Sequence, residues 1–135
     1  MVGTTFDDAV SAAMKFRDEY NSVFIHAFDN IKVIEGQGGV AAELLEEWNS
    51  RVSIDYVFTC VGGGGLASGI GSYLAQMAPD VKLVGFEPLG SPSMYNSLKV
   101  GRPIVLDSLD TFVDGASMKK TGKIPFVSIN LLRKY

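Results

Sequence analysis

Four consecutive glycines, Gly62, Gly63, Gly64 and Gly65, are the residues of this chain whose type and spacing best suit chemistry. They follow the apolar, β-prone run Tyr56-Val57-Phe58-Thr59-Cys60-Val61 and precede the small-residue segment Leu66-Ala67-Ser68-Gly69-Ile70. That order places them in the turn from a strand to a helix. Without a Cβ, glycine lets backbone N–H groups approach an anion closely, and the start of the next helix adds partial positive charge. A phosphate cradled by main-chain N–H groups is therefore one reading. Close packing of the strand against the helix is the other, although each glycine loses much chain freedom on folding and a structural turn more often uses one or two.

Spacing alone admits a third reading. Gly62-x-Gly64-x-x-Ala67 satisfies the G-x-G-x-x-A dinucleotide pattern, and Glu87 follows about twenty residues on, where a ribose-binding carboxylate belongs. A nicotinamide-binding oxidoreductase domain is thus an alternative, although any glycine quartet meets two of the three positions. A Walker loop is excluded because no Gly-Lys-Ser/Thr follows. His26 is the sole histidine, so a histidine-based metal cluster cannot be assembled, and a strand histidine with a local hydrogen bond is the simpler expectation. Cys60 is the single cysteine and reads as a core residue.

The elements that must hold the glycine loop can be read in order. Val2-Gly3 resembles a strand end. Thr5 and Asp8 stand at capping-box spacing before a helix whose face is Phe6, Val10, Ala13, Met14 and Arg17, broken at Asn21-Ser22. Val23 to Phe28 reads as a strand, Val40 to Trp48 as a helix after the glycine-containing stretch 35–39, and Ile70 to Met77 as a helix ended by Ala78-Pro79. Val81 to Phe86 is a further strand and Met94 to Lys99 a short helix capped by Ser91 or Ser93. Thr111 to Gly115 resembles a strand end with a turn, and Phe126 to Leu132 a last helix or strand. Alternation of strand and helix at about thirty-residue spacing predicts an α/β fold, a doubly wound parallel sheet with flanking helices, in one domain over residues 1–135.

Hydrophobic residues at 47% and charged residues at 20% are those of a globular protein. A lone cysteine cannot form an internal disulfide, no apolar run reaches membrane-spanning length, and the N-terminus lacks a signal-peptide pattern; a cytoplasmic location is the expectation. Residues 1–98 carry 5 basic and 12 acidic side chains, and residues 99–135 carry 7 and 3. The excess around Lys119, Lys120 and Lys123 reads as a solvated face and gives nucleic-acid binding no further support.

Four motifs in register say more than the glycines alone: Ile34-Glu35-Gly36-Gln37-Gly38, Val61-Gly62-Gly63-Gly64-Gly65-Leu66, Val84-Gly85-Phe86-Glu87-Pro88 and Phe112-Val113-Asp114-Gly115. From about Thr5 to Gly122 the chain resembles the threonine dehydratase and serine racemase family of fold-type II pyridoxal-phosphate enzymes. The resemblance implies that Gly62, Gly63, Gly64, Gly65 and Leu66 bind the phosphate of pyridoxal phosphate, with the Asp114-Gly115 turn beside the cofactor ring. It also implies a cation site built from Glu87, the carbonyl of Ser91 and the side chain of Ser93; otherwise Glu87 caps its loop. Gly39 replaces a threonine, Ala27 a proline and Cys60 another proline common in the family.

The resemblance also says what these residues do not contain. The family's cofactor-holding lysine lies in an upstream Ser-x-Lys-x-Arg-like segment, and no lysine from Lys15 to Lys134 has that context. The upstream loop that contacts substrate and the downstream partner of the pyridine nitrogen are missing too. The chain is thus expected to be the middle of a large catalytic domain, incomplete at both ends, inactive alone, and prone to self-association through open sheet edges. The parent activity implied is elimination of water from a hydroxy amino acid, giving a 2-oxo acid and ammonia. A catalytically inactive phosphate-binding or interaction domain is the alternative.

Overall fold

Small residues make one helix the centre of this protein. In the computed structural model, which describes residues 3, 5–48 and 53–133, helix α3 (Gly65–Met77) buries Gly65, Ala67, Ser68, Gly69, Ile70, Gly71 and Leu74. With so little side chain on its surface, α3 takes neighbours on several sides at once. Strand β1 (Tyr56–Cys60) enters it and strand β2 (Lys82–Phe86) leaves it, and the two strands pair in parallel with Phe58 opposite Val84. Ala41, Ile70 and Leu74 form one buried cluster with Val57, Val81 and Leu83 packed on it; Val61, Ala67, Met94 and Phe126 form a second. The remaining helices are α1 (Phe6–Tyr20), α2 (Ile31–Trp48), α4 (Ser93–Val100) and α5 (Lys123–Leu132).

The α/β class expected from sequence holds, with a parallel sheet and flanking helices. Thr5 and Asp8 form the expected capping box, and Asn21 ends α1 in the left-handed region at φ 49°. Met14, assigned to the inner face of α1, is exposed. Pro79 stops the α3 run where expected, and residues 123–132 are a helix rather than a strand. Pro125 is tolerated there because first-turn N–H groups have no intrahelical partner.

Three expectations are corrected. Val23 to Phe28 forms no strand: residues 23–26 have no regular structure and the chain bends at Ala27 and Phe28. Its alternation is real, with Val23 88% and Ile25 65% exposed, yet Phe24, His26 and Phe28 turn inward to an aromatic cluster with Phe6 instead of a sheet. Helix α2 begins at Ile31, nine residues before the expected start at Val40, so Gly36, Gly38 and Gly39 lie inside it. This half of α2 crosses α3 closely at Gly69 and Gly38: a Cβ on Gly69 would fall on the Ile34 carbonyl and lie 2.7 Å from Gln37 Cβ and 2.8 Å from Gly38 N. Thr111 to Gly115 contains no strand; a 3₁₀ turn spans Asp114–Ala116. The expected strand end at Val2 lies outside the described residues.

One sheet face is covered by α3 and the other is open. Tyr56, Phe58 and Phe86 are all more than half exposed on the open side. Cys60, expected in the core, is exposed there too, because alternation along β1 puts Thr59 and not Cys60 against the helix. Among the described residues no helix is long and apolar enough to cross a membrane.

The α2–α3 crossing makes a paired prediction for chemical denaturation. Gly69→Ala is expected to destabilise by at least about 2 kcal/mol through backbone overlap. Gly36→Ala, with nothing within 4 Å of the new Cβ, is expected to stabilise by about 0.5–1 kcal/mol by restricting the unfolded chain. Equal effects of the two substitutions would contradict the packing account.

Candidate anion-binding site

Strand β1 ends at Cys60, Val61 N–H donates to the Phe86 carbonyl at 2.8 Å, and the chain then turns through the glycines into α3. Gly64 sits at the N-cap of α3 at φ 94°, a conformation open to glycine and costly for other residues. Its own carbonyl accepts the Ser68 N–H at 3.0 Å, the first hydrogen bond of the helix. Among the described residues, no acceptor lies within hydrogen-bonding reach of the N–H groups of Gly62, Gly63, Gly64, Gly65, Leu66 and Ala67. Gly63, Gly64, Gly65 and Ala67 are buried. The first-turn N–H groups of a helix have no intrahelical partner, and here the row extends back to Gly62, so several donors on buried residues are gathered at one helix mouth.

Neighbours leave the loop no room for side chains. A Cβ on Gly63 would fall on the Phe28 ring, and one on Gly65 would lie 2.9 Å from Phe28 Cβ. At Gly64 it would lie 2.6 Å from Met94 Cε and 2.8 Å from Pro125 Cβ. At Gly62 it would be 3.3 Å from Ala116 Cα and 3.5 Å from the Gly115 carbonyl, so Gly115 borders the loop. The close packing that the sequence offered as one reading of the quartet is thus realised in the loop. Donors without acceptors, and no Cβ in the way, fit a phosphate.

Glu87, Ser91 and Ser93 are brought together at the end of β2, but the carboxylate is engaged. One oxygen accepts Met94 N–H at 2.8 Å and the other Tyr95 N–H at 2.7 Å, so Glu87 caps α4, whose own N-cap, Pro92, supplies no side chain for the purpose. Burial pushes the Glu87 carboxyl above its ordinary value, against the pull of those two N–H donors. Ser91 Oγ lies 3.4 Å from Ser117 Oγ. Ser93 Oγ is buried and has no partner among the described residues. No group of three or more histidine, cysteine, aspartate or glutamate side chains suited to a metal occurs among the described residues. His26 serves its own turn: Nδ1 accepts the Asp29 N–H at 3.1 Å. Lys120 pairs with Asp7 at 3.5 Å on an exposed face.

The pyridoxal-phosphate dependent enzyme family matches residues 1–135. The chain belongs to that family. It is 44% identical over 126 residues to the L-threonine dehydratase biosynthetic IlvA of Halalkalibacterium halodurans, covering 93% of this chain and 30% of that protein. It is 43% identical over 128 residues to the enzyme of the same name from Staphylococcus aureus, with the same coverage. The chain therefore spans less than a third of the length of these curated relatives. Among solved structures it resembles the processed form of threonine deaminase isoform 2 from Solanum lycopersicum, with TM-score 0.87 and 36% identity over 95% of this chain and 36% of that one. It also resembles maize serine racemase, with TM-score 0.86 and 27% identity over 97% of this chain and 40% of that one. Membership of the pyridoxal-phosphate family sets aside the dinucleotide reading. Glu87 agrees, since its carboxylate turns to α4.

Sequence reasoning missed Phe28 and Asp29 as parts of the site. Their contacts lie across the chain, so no local pattern carried the signal.

The raised Glu87 carboxyl has a defined consequence. A group whose pKa is higher folded than unfolded contributes stability at low pH that is lost as pH rises through its folded value. The melting temperature of the native chain minus that of Glu87→Gln is therefore expected to fall as pH rises from below 4.5, the ordinary value, through the acid range. A flat difference would show that the N–H bonds cancel the effect of burial, and one that climbs with pH that they outweigh it.

Proposed function

We propose that the Gly62–Leu66 loop binds the phosphate of pyridoxal phosphate and that the chain serves a threonine or serine dehydratase reaction, in which a hydroxy amino acid gives a 2-oxo acid and ammonia. The observation that carries this reading is the row of free N–H groups from Gly62 to Ala67 at the start of α3. A phosphate dianion there would accept several of them and complement the helix dipole. Two similar proteins, a threonine dehydratase and a threonine deaminase, support the substrate class by their names.

When bound, pyridoxal phosphate supplies an electron sink for charge developing at a substrate carbon. The chain's own residues anchor and orient. The N–H groups of Gly62 to Leu66 fix the phosphate end, Phe28 and Pro125 close the loop's flanks, and Gly115 borders it at Gly62. Loss of a substrate proton needs a base at the reacting carbon, and a loop of glycines and Leu66 carries none. Binding without turnover is therefore the expected behaviour of these 135 residues alone. Glu87, Ser91 and Ser93 act in this reading as the cap and packing of α4, because one carboxylate already shared with two N–H groups makes a weak donor set for a hard cation.

Calorimetric titration of the chain with pyridoxal phosphate and, separately, with inorganic phosphate tests the site. Both are expected to bind, and Gly63→Ala, which places a methyl on the Phe28 ring, is expected to abolish both while Gly36→Ala retains them. Binding that survives Gly63→Ala would place the anion elsewhere. With threonine and pyridoxal phosphate present, no 2-oxobutyrate is expected; its steady release by the purified chain would overturn the anchoring-only role.

A further inference from the structure

Asp29 reaches across the fold to the support of the glycine loop. Its carboxylate accepts the Lys123 N–H at 3.0 Å through Oδ2 and the Ile124 N–H at 2.9 Å through Oδ1, the first two N–H groups of α5. Those partners lie 94 and 95 residues away in sequence. Negative charge at a helix start is favoured by the dipole, and both donors would otherwise lack an intrahelical partner.

The same helix start grips the loop. Gly122, the N-cap of α5, donates its N–H to the Gly63 carbonyl at 3.0 Å. The Gly63 carbonyl and the Gly64 N–H belong to one peptide unit, and no cis peptide bond occurs among the described residues. In a planar trans unit the two point in opposite directions, so tying the carbonyl to Gly122 aims the Gly64 N–H away from α5. The contact is tight throughout: a Cβ on Gly122 would lie 3.1 Å from Asp29 Cγ and 2.7 Å from Pro125 Cδ. Phe28, adjacent to Asp29, packs on Gly63 and Gly65 from another side.

We propose that Asp29 is a positioning residue for the anion loop: by holding the mouth of α5 it fixes Gly122, and through Gly122 it sets the direction of the Gly64 N–H. This rests on the phosphate-binding reading above. It assigns Asp29 a role that its place beside a turn does not suggest.

The test compares wild type, Asp29→Ala and Asp29→Asn by amide NMR, with inorganic phosphate as the probe. Asp29→Ala is expected to bind phosphate about tenfold more weakly, the size of one charge-assisted hydrogen bond. Its Gly64 amide is expected to exchange faster with solvent while amides of β1 and α2 keep wild-type exchange. Asp29→Asn, which keeps the size and one acceptor, is expected to fall between. Wild-type phosphate affinity together with wild-type Gly64 exchange in Asp29→Ala overturns the proposal, as does the same result in Asp29→Asn should the alanine variant fail to fold. Faster exchange spread equally over β1 and α2 marks general loss of stability and overturns it too. If wild type binds no phosphate, the reading of the loop fails, and the Gly64 exchange comparison alone decides the role of Asp29.

Discussion

Main-chain donors without acceptors, gathered at the start of a buried helix, are the constraint on which the rest of this structure depends. An unpaired buried N–H costs on the order of 1–3 kcal/mol, and the loop from Gly62 to Ala67 carries six N–H groups without an acceptor among the described residues, four of them on buried residues. Such an arrangement persists only if the surroundings enforce it. Helix α3 does so from within the core, since its small residues let α2, α5 and both strands pack against it. An acceptor entering the loop would recover energy the fold gives up in forming it.

The loop is shaped from outside as much as by its own glycines. Phe28 excludes side chains at Gly63 and Gly65, Met94 and Pro125 exclude them at Gly64, and Gly122 holds the Gly63 carbonyl. These contacts come from three separate parts of the chain, around Phe28, Met94 and the start of α5. Two carboxylates act as remote caps in the same framework, Glu87 on α4 and Asp29 on α5. Neither helix has a side-chain cap at its own N-cap position, Pro92 or Gly122. The loop and its supporting helices are thereby joined by polar contacts that run between elements.

What the sequence made legible was local. The apolar run into Gly62, the small residues after it and Pro79 defined β1, the loop and α3, and the apolar run ending at Phe86 defined β2. Four motifs in register pointed to the family. The first half of α2 was hidden because Gly36, Gly38 and Gly39 argue against a helix by propensity; of the three only Gly38 faces Gly69 at the crossing, while Gly36 and Gly39 have nothing within 4 Å of a built Cβ. Val23 to Phe28 has strand alternation, but a strand needs a neighbour and an aromatic cluster took its inward side chains. Glu87 was visible as a strand-end carboxylate, and its partners seven and eight residues on became clear once α4 was seen to start without its own cap. Asp29 gave no signal, since its partners are separated by most of the chain.

The central claim is that the loop's N–H groups hold a phosphate directly, and through-hydrogen-bond scalar coupling between phosphorus and amide nitrogen measures that contact itself. With ¹⁵N-labelled chain saturated with inorganic phosphate, the account predicts ³¹P–¹⁵N couplings at amides between Gly62 and Leu66. Saturation with no coupling in that loop, and couplings at amides elsewhere, would contradict it.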